Sequence, residues 1–296
     1  MTNIGEDSST TLPRRQLGRY LKEARLGVGL RLEDVAPLMQ WSASKLSRLE
    51  VGKSPSIRVL DVEALCRIYD IDDPEVCAGL IGLAKQSTEK SWWQAFDDVI
   101  TGNFDLYVGL ESSSEKLSIF QPHIVAGLLQ IPAYARAIEL GYYSDINEQE
   151  LERRIQLRVK RQMLLTRKVK PVMVDFVIHE SVLHTVVGSG KIMAAQCHHL
   201  ANLPANVTVR VLPYETGFPA GLPTGPFAIL DFGTDSKGRE LSPTVVYIES
   251  FAGDLYLERA KDVARYRQAY SVIRDAAHDV ADSKRRLRQI AREHER

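Results

Sequence analysis

Trp41-Ser42-Ala43-Ser44-Lys45-Leu46-Ser47-Arg48-Leu49-Glu50 is the stretch that decides how the first part of this chain folds. Ser42 is placed to cap a helix, its hydroxyl accepting from a first-turn amide. Leu46 and Leu49 then fall on one side, and Ala43, Ser44, Lys45 and Arg48 on the other. Gly52 follows as a stop. A short capped helix with a small polar first turn, an apolar underside and basic flanks fits end-on into a DNA major groove, which is ~12 Å wide. Arg48 can pair with guanine O6 and N7, Lys45 less selectively, and Ala43 offers a methyl contact to thymine. Two short helices joined by a turn occur in many all-α domains, so this spacing alone leaves both readings open.

The flanking segments extend the pattern. Leu17, Leu21 and Ala24 recur at helical spacing, which predicts a first helix over Arg14 to Leu26, ended by Gly27 and Gly29. A second helix is expected from Leu32 to Met39 with Val35, Leu38 and Met39 inward, and Pro37 close to its first turn. Ser56 is read as the cap of a fourth helix with Leu60, Val62, Leu65 and Ile68 apolar. Asp73-Pro74 opens a fifth, to about Gln86.

The chain of 296 residues is long enough for about two domains, and 44% hydrophobic residues can fill their cores. Net charge is zero, but Arg14 to Leu60 holds ten basic residues against four acidic ones, a local +6. That is the footprint of a phosphate-facing surface, or simply of a solvated basic face. The three cysteines, Cys66, Cys77 and Cys197, show no paired spacing, which argues for a reducing, cytoplasmic setting. No apolar run reaches the ~18 residues of a membrane span. Residues 1–13 read as a disordered polar lead-in.

The helix-turn-helix domain is placed at 14–87, closed by the polar break Ser87 to Lys90. Residues 88–280 read as an α+β domain and 281–296 as a basic helix end. To about Glu139 the pattern is mixed and mostly helical. Glu148 to Lys168 follows as a charged helix with the stripe Leu151, Ile155, Val159, Met163, suited to a dimer seam or to packing within its own chain. Val172–Ile178, Val207–Val211, Phe227–Leu230 and Val245–Ile248 have strand character, giving a mostly antiparallel or mixed sheet of about four or more strands. A long helix is expected from Leu257 onward.

Residues 29–71, GLRLEDVAPLMQWSASKLSRLEVGKSPSIRVLDVEALCRIYDI, resemble the xenobiotic-response-element (XRE) helix-turn-helix domain, related to the phage lambda-type repressors. SWWQAFDDVI (91–100), YVGLESSSEKLSIFQPHIVAGLLQIPAYARA (107–137) and the stretches 174–200, 206–232 and 245–258 further resemble actinobacterial XRE-family regulators of the WhiJ kind. The resemblance implies a cytoplasmic, homodimeric regulator that binds operator DNA and, in some relatives, works with a small partner protein encoded nearby; with no catalytic, cofactor or metal motif read in the chain, the second domain is expected to receive such a partner or a small-molecule effector. An antitoxin-like module that neutralises a partner and autoregulates its operon is the alternative it leaves open. By position it places Ser42, Ala43, Ser44, Lys45 and Arg48 at bases or adjacent phosphates, and Arg31 and Lys53 at the DNA backbone. It makes Arg25 and Glu50 a buried brace between the first and third helices. Departures are Gln40, where relatives have the Gly of a positive-φ turn, Leu32 in place of a backbone-contacting Gln, and Ala126 in place of Pro.

Sharper motifs weaken on inspection. His179 and His184 are spaced i,i+5, not the i,i+4 of a zinc-protease helix. Cys197-His198-His199 cannot all face one ion on a helix. Gly188-Ser189-Gly190-Lys191 lacks most of a phosphate loop and reads as a helix start. Trp92-Trp93 suit a ligand pocket or an interface, or ordinary packing.

Overall fold

The computed structural model describes residues 12–54, 57–88, 91–100, 104–221, 223–234, 240–251 and 253–296. Contacts divide the chain into two compact units between Leu110 and Glu111, beyond the polar break at 87–90.

The first unit is all helical: α1 (Leu12–Gly27), α2 (Leu32–Leu38), α3 (Ala43–Glu50), α4 (Val59–Ile68) and α5 (Pro74–Ser87), then a 3-10 turn over Trp92–Phe96. Leu17 and Leu21 of α1 meet Val35, Leu46, Leu49, Val62 and Leu65 in one core. α5 starts where Asp73 accepts from the Glu75 amide at 2.8 Å, with Pro74 in the first turn. Four expectations need correcting. The first helix already includes Leu12 and Pro13, so only residues 1–11 of the lead-in lie outside the described residues. Leu38 is exposed, because Val35 and Ala36 set the buried face of α2 and Leu38 lies about 110° round from its centre. Pro37 sits in the last turn of α2 rather than near its first. α4 starts with Arg58 at its N-cap position, without a side-chain cap bond, while Ser56 lies outside the described residues; Leu60, in the first turn, is exposed.

In the second unit the chain passes from α6 (Phe104–Ser113), which runs through the division, to β1 (Lys116–Gln121), then α7 (Pro132–Tyr142) and α8 (Glu148–Thr166). β2 (Met173–His179), α9 (Glu180–His184), α10 (Gly190–Ala201) and β3 (Val207–Leu212) follow. β4 (Phe227–Asp231), β5 (Val245–Ile248), β6 (Leu255–Leu257), α11 (Ala260–Ala276) and α12 (Val280–His294) complete it. Among the described residues six strands form one mixed sheet, ordered β3-β2-β1-β4-β5-β6. β1, β2 and β3 run parallel; β4 returns antiparallel on the other side of β1, and β5 and β6 continue as a meander. α11 covers the sheet face that carries Phe120, Val177, Leu212, Phe227 and Val246.

The all-helical first domain and α+β second domain agree with the sequence reading, and β2 to β5 fall on the segments read as strands. Three features differ. β1, the central strand, lies in the stretch read as mostly helical. β6 occupies the start of the expected terminal helix, and that helix is two, broken at Ala277–Asp279. There Asp279 accepts from the Asp282 amide at 2.8 Å to start α12, whose Leu287, Ile290 and Ala291 are buried. On α8, Leu151 and Ile155 are buried beside Ala135 of α7, but Val159 and Met163 are exposed. Each i,i+4 step overshoots a full turn by ~40°, so the stripe rotates off the contact and Leu157, Arg161, Leu164 and Leu165 take over.

Candidate nucleic-acid interface

α3 begins as its residues dictate. Ser42 takes extended geometry and its hydroxyl accepts from the Lys45 amide at 3.2 Å. Leu46 and Leu49 are buried, while Ser42, Ser44, Lys45 and Arg48 are exposed and Ala43 is half-buried, so the polar residues form one solvent-facing surface. The Lys45 ammonium sits 3.9 Å from the centre of the Trp41 ring. A cation over an indole face is attracted by the ring quadrupole, and here that restricts a long flexible side chain. Arg31, ahead of α2, and Lys53, after α3, are both exposed. The Arg31 amide donates to Asp34 at 2.7 Å, and the Lys53 amide donates to the Arg48 carbonyl at 2.8 Å.

The turn before α3 depends on Gln40, whose φ is +55°, the left-handed region a glycine would enter more cheaply. The Gln40 and Trp41 amides donate to the carbonyls of Pro37 and Ala36, which holds the turn closed.

α3 is fixed from beneath. Arg25 of α1 donates through Nε and Nη2 to the two carboxylate oxygens of Glu50 at 2.6 and 2.8 Å, and through Nη1 to the Leu30 carbonyl at 2.7 Å. Both side chains are buried. The Glu50 hydrogen bonds raise the Arg25 pKa, and burial together with the Glu50 charge pushes the neighbouring Tyr69 phenol up. A planar bidentate pair of this kind orients as well as attracts. α1 also approaches α3 closely: a Cβ added to Gly18 would stand 2.3 Å from the Leu49 carbonyl oxygen.

The local +6 is not all on the outer face. Arg25 belongs to the brace, and Arg14 is partly buried with its Nε donating to the Ser87 carbonyl at 3.0 Å. Arg58 is exposed and paired with Asp61 at 2.9 Å. A hollow of about 240 Å³ beside α3 is bounded by Trp41, Lys45, Ser54, Arg58 and Asp61, so its two cations share it with the carboxylate that pairs with Arg58. Gly18, and Trp41 as the seat of Lys45, were missed from sequence. The i,i+4 spacing of Trp41 and Lys45 was a usable signal; nothing marked Gly18.

The remaining candidates fall elsewhere. Trp93 is buried and meets Trp92 edge-on at 5.8 Å in the 3-10 turn after α5. His179 caps α9, His184 lies 3.7 Å from Glu180, and Cys197 is buried in α10 with His198 exposed. Ser189 caps α10, accepting from the Ile192 amide at 3.3 Å, so Gly188-Ser189-Gly190 is a helix start. Among the described residues, no helix is long and apolar enough to cross a membrane.

Two family models match the chain. Residues 16–78 match one described as a helix-turn-helix domain, and residues 104–289 match one described as a domain of unknown function, DUF5753. No curated protein and no solved structure matches.

Proposed function

The chain belongs to the DUF5753 family and carries a helix-turn-helix domain ahead of that match, and on that footing we propose that it is a sequence-specific regulator of transcription. In this reading it is a cytoplasmic XRE-family homodimer of the actinobacterial WhiJ kind, without catalytic activity. α3 enters the major groove of an operator. Ser42, Ala43, Ser44, Lys45 and Arg48 meet bases or nearby phosphates, and Arg31 and Lys53 hold the backbone. The second unit receives a small-molecule effector or a small partner protein.

The observation that carries the reading is the exposed polar face of α3 above the buried Arg25–Glu50 pair. Exposure makes those side chains available to base edges, and the brace fixes their direction before DNA arrives, which reduces the ordering cost of binding. The test is a mobility-shift titration on the gene's own upstream DNA at two salt concentrations. Affinity should fall steeply with salt, because phosphate contacts release counterions. Arg48→Ala should cost about 1–3 kcal/mol and relax preference at one base pair. Salt-independent binding, or an Arg48→Ala variant equal to the parent protein, would falsify the proposal.

A further inference from the structure

The second unit holds a cavity of about 300 Å³, at the lower end of the size range of small-molecule sites. It lies where β1, β2 and β3 end. Phe120 is next to last in β1, while His179 and Leu212 are the last residues of β2 and β3 and stand opposite one another in the strand register. Ile273 of α11 adds a wall, and Phe218 and Ala220, from the chain after β3, add another. In open α/β sheets this is the position that collects ligands: the carboxyl ends of parallel strands, beside the point where strand order reverses. Here that point is β1, which has parallel β2 on one side and antiparallel β4 on the other.

The lining narrows what would fit. No Lys, Arg, Asp or Glu borders the cavity among the described residues. Glu180, next to His179 in sequence, is occupied by Arg286 and by the Tyr214 amide. The only ionisable side chains on the lining among the described residues are the imidazoles of His123 and His179, so a carboxylate or ammonium ligand would lose its water without meeting a permanent counter-charge. A pure hydrocarbon would fit the apolar walls but offer no acceptor to His179, whereas the Ser181 and Thr224 hydroxyls on the lining already bond to Pro122 or His179 and to Gly225. His179 has a defined tautomer. Its Nδ1 accepts from the Ser181 amide at 3.2 Å and lies 2.7 Å from the Ser181 hydroxyl, so the neutral ring carries its proton on Nε2. Burial lowers its pKa, which keeps the ring neutral. Phe218, 68% exposed, places an aromatic side chain where an apolar guest would enter.

We propose that this cavity binds a small uncharged molecule, mostly apolar, with one oxygen acceptor such as a ketone or ester carbonyl, which takes the Nε2–H of His179. The proposal rests on the reading of the second unit as the signal-receiving part, and it names the site and the ligand class.

Three probes of similar size separate the possibilities: acetophenone, cumene and benzoate, titrated into the full-length protein without DNA and followed by NMR at His179 and the Ile273 methyls. Acetophenone should give saturable shifts at both and bind about three- to tenfold more tightly than cumene, the worth of one neutral hydrogen bond. Benzoate should bind most weakly. His179→Asp retains a side-chain acceptor to cap α9 and carries no N–H donor, so the advantage of acetophenone over cumene should vanish while the amide spectrum stays native. Ala220→Trp should fill the cavity and abolish all three titrations. Absence of saturable shifts in the parent protein, equal affinity for acetophenone and cumene, or tightest binding by benzoate would each overturn the proposal. Operator binding is measured separately without any probe, so failure of the ligand site and failure of the regulatory reading give different results.

Discussion

Gly18 and the Arg25–Glu50 pair show how single residues set the direction of α3. A methyl on Gly18 would meet two carbonyl oxygens, those of Leu49 at 2.3 Å and Glu50 at 2.7 Å. Backbone cannot yield as a side-chain tip can, so Gly18→Ala should push α1 away from the end of α3. The expected loss is about 1–3 kcal/mol, as for other overpacked positions, read by thermal unfolding. Operator affinity should fall with it, because the reading face moves. Arg25→Met should cost more, about 3–5 kcal/mol in urea titration, since it leaves the Glu50 carboxylate buried without its cation. Adding Glu50→Leu to that variant should recover much of the loss, and a double mutant weaker than Arg25→Met would refute the account. These residues were unequally legible. Arg25 and Glu50 could be named from a resemblance, because a charge pair is written in residue types. Gly18 could not, since a glycine inside a helix shows only its low propensity until the opposing backbone is known.

At the scale of elements, strands written as an alternation or as an unbroken apolar run were easier to read than β1, whose run is interrupted by Ser118 and flanked by Lys116 and Gln121. β3 alternates, with Val207, Val209 and Val211 buried and Thr208 and Arg210 partly exposed. β1 is buried at four consecutive positions, Leu117 to Phe120. A central strand covered on both faces loses the period of two, and a short run with a polar residue inside it then looks equally like a piece of helix. α8 was read as a helix where it is one, but only half of its stripe packs within the chain, because the stripe rotates off the contact along the helix. That difference has a measurable consequence. Ile155→Ala, at a buried site, should destabilise by about 2–5 kcal/mol. Val159→Lys and Met163→Lys, on the exposed side, should stay within about 0.5 kcal/mol in chemical denaturation. Loss of several kcal/mol from either lysine variant would mean that the outer side of α8 is covered. The helix-turn-helix elements were legible to within a residue or two, because Ser42, Asp73 and Pro74 punctuate them.

For the molecule as a whole, two histidines of the second unit tie stability to acidity. Burial lowers the pKa of both His179 and His199 below the ordinary value of 6.5. The unfolded chain therefore takes up protons that the folded chain refuses, and stability drops as pH falls through 6.5 toward the lowered values. The urea midpoint should decline between about pH 7 and about pH 5.5, and His199→Gln should flatten the decline. An unchanged slope in that variant would remove His199 from the explanation. The placement of β1 also bears on how the protein is made. Its partners arrive late: Met173 to Ile178 on one side and Phe227 to Asp231 on the other. At roughly 5–20 residues per second, a ribosome that has released β1 needs on the order of ten seconds to deliver β4. The helix-turn-helix unit, built from contacts nearer in sequence, can be finished before then. Through that interval the segment Leu117–Phe120, apolar but for Ser118 and without a proline, has an unpaired edge on which another nascent chain could add a strand. Among the described strands, the central one that organises the finished sheet thus waits longest for both of its neighbours.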